Sequence, residues 1–536
     1  MLGWKVSGAG LLAWVVFAQP VQVTVDATHS LGAFNPIYRY FGYDEPNYTY
    51  SAHGRKLVGE LAALSSGPVY IRTHFLLATG DGTPALKWGS TNAYTEDASG
   101  RAVYNWTIID RIFDTYVHAG ARPFVEIGFM PKALSSKPEP YQPVWSPGAA
   151  FNRYYAGWSY PPKDYAKWAE LIRQWVLHSV ARYGAGEVAT WYWEVWNEPN
   201  IGYWHGSPEE YDKLYDATAG AVKRALPAAR VGGPASTGPS SPRAAAFLRK
   251  FLEHCDGSGA PLDFISFHAK GRTAIVDGHP HMNISKQAAD VDSGFRIVAA
   301  APKFRALPVI LSESDPEGCA ACTASAYPQN AYRNTPQYAA YTAAMMQKIL
   351  DLAVADGVHI EGMLTWAFEF EDQPYFAGFR TLATNGIDKP ILNFFRMAGL
   401  MGGERIAAAS STPDIGAIAS STGSGISVLV WNHHDDELAA EAAPVRLEIA
   451  GLPSAAGRVP VHHYRIDGSH SNSFAVWKRM GAPQHPSPAE YAALEAAGQL
   501  QELDSPGWMT VRGGRLEMSF DLPSEGVSLV LVSRPQ

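Results

Sequence analysis

The sequence predicts an α/β chain, a (β/α)8 TIM barrel with a C-terminal β-sandwich domain, and three observations carry that prediction. Apolar, strand-like runs alternate with amphipathic helical stretches through residues 19–402, as a parallel sheet with crossover helices requires. One run, Trp191–Trp196, ends in the polar tip Asn197-Glu198 before Pro199, and a carboxylate at the carboxyl end of a strand is where such a barrel keeps its chemistry. From Gly403 the pattern changes to short alternating strands separated by segments rich in Ser, Thr and Gly.

Taken in order, the chain opens with Lys5, an apolar run from Leu11 to Ala18, and Gln19-Pro20. Val16-Phe17-Ala18 presents small residues where a signal peptidase would read, so residues 1–18 are expected to be a cleaved signal peptide and the protein secreted or periplasmic. No other apolar run approaches about 18 residues, so no membrane association is expected once the signal is removed. Val21–Val25 reads as a strand able to pair into the C-terminal domain. The eight barrel strands are expected at Phe34–Phe41, Val69–Phe75, Arg122–Phe129, Trp191–Trp196, Arg230–Pro234, Leu262–His268, Pro308–Glu313 and Glu361–Phe368.

Helices are expected between them. Asp164–Arg182 places Tyr165, Trp168, Ala169, Ile172 and Trp175-Val176 on one face. Pro336–Ala353 is opened by Asn334-Thr335 as caps, with Pro336 in the first turn. In the sandwich, residues 403–536, strands are expected at Ile426–Trp431, Val445–Ile449, Val459–Tyr464, Arg515–Phe520 and Val527–Val532, with an inserted helix over Pro488–Gln501.

Composition narrows the function classes. Hydrophobic residues make up 46% and charged ones 18%, which describes a globular chain. The net charge of −8 and the absence of a basic stripe argue against nucleic acid and against an anionic membrane surface. The 16 Trp and 26 Tyr suit a sugar-binding cleft, and equally a large core. Cys319 and Cys322 are spaced Cys-x-x-Cys with no second pair, so zinc is not expected; a local disulfide and two free thiols both remain open.

Strand four ends in Asn197-Glu198 and strand seven in Ser312-Glu313-Ser314-Asp315-Pro316, which sets two glutamates at the same face on opposite sides of the mouth. Glycoside hydrolysis needs two such carboxyl groups, one to protonate the leaving oxygen and one to attack the anomeric carbon or activate water. His74 closes strand two and His268 closes strand six; Trp366 on strand eight is a candidate sugar platform, followed by Glu369, Glu371 and Asp372. No His-x-x-x-His motif is present, and no His-x-His pair stands at the strand ends that carry the glutamates, so neither a metal nor another cofactor is expected.

In Arg72-Thr73-His74, Trp196-Asn197-Glu198-Pro199, Gly232-Gly233-Pro234, Phe264-Ile265-Ser266-Phe267-His268 and Pro308–Pro316, the chain resembles glycoside hydrolase family 39, which contains β-xylosidases and α-L-iduronidases. The resemblance implies a retaining mechanism with Glu198 as acid/base and Glu313 as nucleophile. It also implies that Asn197 contacts the 2-hydroxyl of the reacting sugar and that His74 and His268 line its pocket. Substrate choice divides the family. Lys270 and Arg380 resemble basic residues of the iduronidase branch, while Trp366 and the acidic pair Glu371-Asp372 resemble the xylosidase pattern, in which acids meet xylose hydroxyls. Acids near a substrate carboxylate would repel it, which favours a neutral sugar.

The expectation is therefore an exo-acting β-xylosidase releasing xylose from the non-reducing ends of xylan-derived oligosaccharides or glycosides. An iduronidase-like hydrolase of uronic-acid glycosides is the alternative, and a non-catalytic carbohydrate-binding protein is the alternative from another class. The long segments Thr79–Asn105 and Pro131–Pro162 favour a closed pocket over the open cleft of an endo-acting enzyme.

Overall fold

Eight parallel strands close into a barrel in a computed structural model that describes residues 19–142, 156–436, 440–453, 457–503 and 507–533. The expected signal peptide, residues 1–18, lies outside the described residues. The barrel strands are β1 (Tyr40–Tyr43), β2 (Tyr70–Thr73), β3 (Arg122–Ile127), β4 (Tyr192–Val195), β5 (Arg230–Ser236), β6 (Phe264–Lys270), β7 (Val309–Asp315) and β8 (Ile360–Trp366). Each pairs with its neighbour in sequence, and β8 closes on β1 through Leu364 opposite Tyr40.

All eight expected strands are present, and the first is displaced. The sequence pattern places it at Phe34–Phe41, yet pairing begins at Tyr40, because Pro36 has no N–H to give a ladder and the chain turns through Ile37-Tyr38. Both expected helices form: Tyr165–Tyr183 with the Asp164 carboxylate capping its first amides, and Pro336–Asp356 with the Thr335 hydroxyl accepting from the Gln337 N–H.

The inward rows of the barrel explain the site. Side chains alternate along a strand, so every second residue faces the barrel axis. At the lower level these are Tyr40, Tyr70, Phe124, Tyr192, Phe264, Ile310 and Leu364, one buried apolar cluster that fills the barrel floor. Two residues further along β2, β3 and β4 stand Arg72, Glu126 and Glu194, all fully buried. A charged layer therefore lies directly above an aromatic floor, and the mouth lies above that.

The second body is a ten-stranded mixed sheet separate from the barrel. Its strands include the expected Gly425–Asn432, Ala443–Ala450, Arg458–Ile466, Leu516–Leu522 and Val527–Ser533. The N-terminal strand Val21–Ala33 does join it, antiparallel to Glu404–Ser410 and parallel to Ala443–Ala450. Glu404–Ser410 and Ile415–Thr422 are strands whose small-residue composition disguises them as linkers. The inserted helix is Pro488–Ala497, opened by a Ser487–Glu490 capping box, and a further short helix spans Ser473–Arg479.

Helix Pro336–Asp356 connects the two bodies. It is buried on nearly all sides, with alanines at 339, 340, 343 and 344, and packs against strands Gly425–Asn432 and Val527–Ser533. Cys319 and Cys322 are joined as a disulfide, and Cys255 is buried and unpaired. Among the described residues no helix is long and apolar enough to cross a membrane.

Candidate active site

Two backbone irregularities bring the strand-tip residues together. In a regular extended chain Asn197 and Glu198 would diverge, but Trp196 and Glu198 adopt φ of 72° and 45°. Such a conformation costs a β-branched or bulky residue about 1–3 kcal/mol and is held only by its surroundings. Here the Glu198 N–H donates to the Ala235 carbonyl at 2.9 Å, and the Trp196 indole donates to the Tyr203 carbonyl at 2.9 Å. Both Asn197 and Glu198 consequently face the same cavity. On β7 the register against β6 slips between Leu311 and Glu313, so Ser312 is the extra residue of a β-bulge. Ile310 points inward, and regular alternation would send Glu313 outward; the bulge restores it to the interior.

The cavity at the mouth has a volume of about 210 Å³, and Glu198, Glu313, His74, Asn197, Lys270 and Trp366 are all in its wall. His268 stands immediately behind it, fully buried, with Nδ1 2.9 Å from Glu198 Oε1 and 3.9 Å from Glu313 Oε2. A larger hollow lies on the outside of the barrel between helices Pro242–Ser258 and Ile284–Ala299, away from both glutamates.

Glu313 sits in a cradle of cations. Lys270 Nζ is 2.8 Å from its Oε2, Arg72 Nη1 donates to its Oε1 at 3.3 Å, and His74 Nε2 is 3.5 Å from that same oxygen. Burial alone would raise its pKa; Lys270 above all, with His268 and His74, outweighs burial and holds the carboxyl well below the usual carboxylate range. Glu313 is thus ionised. His74 is pushed the other way. Burial would lower its pKa, but the nearby Glu126 charge and hydrogen bonds to Asp44 and Glu313 lift it to about 9.

Arg72 organises the layer beneath. Its Nε donates to Glu194 Oε2 at 2.6 Å and its Nη2 to Asn197 Oδ1 at 2.9 Å, while the guanidinium lies 5.0 Å over the Trp366 ring. Because Arg72 holds the amide oxygen of Asn197, the amide nitrogen is left with no partner among the described residues. That nitrogen is a ready donor for a ligand hydroxyl. Trp366 fits because β1 carries Gly42 beside it; a Cβ there would come within 2.5 Å of the indole.

Four residues singled out in the sequence are placed elsewhere, among them Glu369, which is buried and accepts the Gly386 N–H. Arg380 is buried, donating its Nε to the Trp366 carbonyl at 2.7 Å and its Nη1 to the Glu317 carbonyl, with Nη1 also 3.7 Å from Asp315 Oδ2, so its charge is met by Asp315 and by loop carbonyls behind the wall. Glu371 accepts the His53 N–H in the first turn of helix Ala52–Ala62, a position the helix dipole favours for an anion. Asp372 is exposed and, like Arg380 and Glu371, contributes nothing to the cavity wall.

Other residues of the wall and its support escape sequence reasoning. Arg72 enters it only as part of a motif. Asp315 accepts from Lys270 Nζ at 3.0 Å, from Tyr338 at 3.1 Å and from the Trp366 N–H at 3.1 Å, tying β6, β7 and β8 together. Asp44 and Lys87, 2.7 Å apart, complete the wall beyond His74. Of these two, only Asp44, as the polar residue next after β1, carries a local signal.

Comparison with known proteins places this geometry. The family model described as Glycosyl hydrolases family 39 matches residues 21–507. A β-xylosidase of Geobacillus stearothermophilus is 31% identical over 452 residues, covering 80% of this chain and 79% of that protein. An α-L-iduronidase of Canis lupus familiaris is 24% identical over 594 aligned residues, covering 100% of this chain and 82% of that protein. The crystal structure of a monomeric β-xylosidase from Caulobacter crescentus CB15 shares the fold, with a TM-score of 0.77 and 23% identity over 96% of this chain and 100% of that one.

Proposed function

The chain belongs to glycosyl hydrolase family 39, and from that premise we propose that this glycoside hydrolase is a retaining, exo-acting β-xylosidase. The observation that carries the choice of sugar is the pairing of charges. Lys270 is held between Glu313 and Asp315, Lys87 is held by Asp44, and Arg72 lies between Glu194 and Glu313. Each of these cations at or beneath the wall already faces a protein carboxylate, so a substrate carboxylate would have to displace one. Arg380, the other candidate for an iduronide clamp, is turned to Asp315 and to loop carbonyls behind the cavity wall. A neutral pyranoside suits such a site, and the β-xylosidase of Geobacillus stearothermophilus is 31% identical.

The His268 ring supports the retaining assignment. Its Nδ1 touches both carboxylates, so their nearest oxygens lie within the sum of 2.9 and 3.9 Å. That bound on the nearest oxygens accommodates the roughly 5–5.5 Å separation of retaining pairs and meets the roughly 6.5–9.5 Å range of inverting ones only at its lower end, which supports the retaining reading. In the first step ionised Glu313 attacks the anomeric carbon while Glu198 gives its proton to the glycosidic oxygen, and the leaving alcohol departs. In the second, Glu198 takes a proton from water, the water oxygen attacks the glycosyl ester, and Glu313 is released with configuration retained. Asn197 donates its unpartnered amide to the 2-hydroxyl, and Arg72 fixes that orientation.

Around this core the proposal takes residues 403–536 with strand Val21–Ala33 as a β-sandwich. One apolar cluster includes Val445 and Leu516 near one edge of the ten-stranded sheet and Val459 near the other, as a sheet folded over itself would. The same reading takes residues 1–18 as a signal lost on export and xylan-derived oligosaccharides as the natural substrate.

Initial-rate hydrolysis of an aryl β-D-xyloside against an aryl α-L-iduronide, with Glu313→Ala as the blank, tests the proposal. Xyloside turnover abolished in the variant is expected. Iduronide turnover would overturn the neutral-sugar reading and return Lys270 to the role of carboxylate clamp. Trace hydrolysis surviving in the variant would point instead to a carbohydrate-binding protein.

A further inference from the structure

Beyond His74, away from Glu313, the cavity wall is built by two segments far apart in sequence. The segment after β1, Asp44-Glu45-Pro46-Asn47, meets Lys87-Trp88-Gly89-Ser90 of the long loop after β2, and they are joined residue by residue. Lys87 Nζ donates to Asp44 Oδ2 at 2.7 Å, and the Lys87 N–H donates to Glu45 Oε1 at 2.9 Å. Gly89 packs on Pro46 so closely that a Cβ would come within 2.3 Å of the proline ring. The Asn47 amide receives the Ser90 N–H at 3.0 Å and donates to the Ser90 carbonyl at 2.9 Å. Lys87 itself has φ of 57°, a backbone conformation that lysine rarely adopts and that these contacts impose. A charged side chain buried this deeply at the end of a loop is delivered there, not left there by chance.

We propose that Lys87 and Asp44 form the closed end of the sugar pocket and recognise the hydroxyls of the terminal sugar remote from the scissile bond. This inference rests on the β-xylosidase reading of the same site. The spacing is set by His74, whose Nε2 is 3.5 Å from Glu313 Oε1 and whose Nδ1 is 2.9 Å from Asp44 Oδ1. One imidazole and its two contacts separate nucleophile from Asp44, a span that a pyranose ring fills once the approach of Glu313 to the anomeric carbon and a hydrogen bond from a 3- or 4-hydroxyl to Asp44 are added to it. The pair offers what a vicinal diol needs, an ammonium to donate and a carboxylate to accept. Asp44 stays ionised and so able to accept, since Lys87 and His74 overcome the effect of burial and hold its pKa below the usual carboxylate range. Glu371 and Asp372, expected from the family resemblance to meet those hydroxyls, are absent from the wall, which leaves this pair to meet them. The same plug blocks a further sugar on the non-reducing side, which makes the site exo-acting.

The test compares kcat/KM for an aryl β-D-xyloside and its 3-deoxy and 4-deoxy analogues in the full-length wild type, Lys87→Met and Asp44→Asn. At least one deoxy analogue is expected to lose about 10- to 100-fold in wild type, the range for a hydrogen bond to a charged group. Lys87→Met should lose a similar factor on the parent, largely through KM, and should treat the parent and that analogue alike. Wild-type enzyme that hydrolyses both deoxy analogues as well as the parent would overturn the inference without reference to any variant's folding. A Lys87→Met enzyme that discriminates as strongly as wild type would do the same. Wild type silent on the xyloside itself would instead overturn the substrate reading, and this inference with it.

Discussion

Replacing Lys270 by methionine should move the acid limb of the pH–rate profile upward, and the structure gives the size of the move. Lys270 Nζ stands 2.8 Å from Glu313 Oε2 and is the foremost charge holding that carboxyl below its ordinary range. At an effective dielectric constant of about 20, unit charges at that separation attract by about 6 kcal/mol. Asp315, 3.0 Å from the same ammonium, competes for it, and Arg72 and His74 remain beside Glu313 in the variant. The change left to Glu313 is therefore the range found for one nearby opposite charge, about 1–3 pKa units or about 1.4–4 kcal/mol. The sign follows from its role: a nucleophile must be ionised, so activity is lost as pH falls through its pKa. With that pKa raised, kcat/KM on an aryl xyloside should begin to fall at a pH higher by about 1–3 units, while methionine keeps the packing of the lysine stem. Initial rates across the acid and neutral range, with folding checked at each pH by circular dichroism, measure it. An active Lys270→Met enzyme whose acid limb coincides with wild type would refute the claim that Lys270 sets the ionisation of the nucleophile.

Three further outcomes are expected. Glu198→Ala should lose about a hundred- to ten-thousand-fold on substrates with poor leaving groups and much less on dinitrophenyl glycosides, with azide restoring turnover as a β-glycosyl azide. Arg72→Met should lower unfolding free energy in urea by about 3–5 kcal/mol, because the buried Glu194 would lose its ion-pair partner while Glu313 keeps Lys270; an unchanged midpoint would show that Glu194 finds compensation elsewhere. His74 carries a folded-state pKa of about 9 against an ordinary 6.5, so its charge stabilises the fold fully below pH 6.5 and that stability is lost as pH rises through 9. The wild-type thermal midpoint should therefore fall across that window and that of His74→Gln should fall less, and parallel curves would remove His74 from the account.

The barrel was legible because its strands and helices obey two periodicities, and Trp191–Trp196 and Phe264–His268 could be placed from residue type alone. Glu198, Glu313, His74 and His268 were legible for a related reason: a polar residue closing an apolar strand has one place to be. The convergence of Asn197 with Glu198 was not. It depends on positive φ at Trp196 and Glu198, and that of Glu313 on the bulge at Ser312, neither of which periodicity expresses. After β8 the chain follows caps and loop contacts, so Glu371 serves a helix terminus and Arg380 pairs with Asp315 and a set of carbonyls, whatever their likeness to family motifs suggested. Asp44 and Lys87 are 43 positions apart, and a contact between two loops leaves no trace in either. Arg72 was hidden by its type, since a lone arginine reads as surface until Glu194, Glu313 and Trp366 of three other strands are seen around it.

Mass-spectrometric trapping with a 2-deoxy-2-fluoro-β-xylosyl donor tests the central claim most directly. One fluoroxylosyl adduct per chain is expected, mapped by peptide digestion to Glu313 and released by an added acceptor alcohol. An adduct on any other residue, or a hydrolysis product of inverted configuration with no adduct, would contradict it.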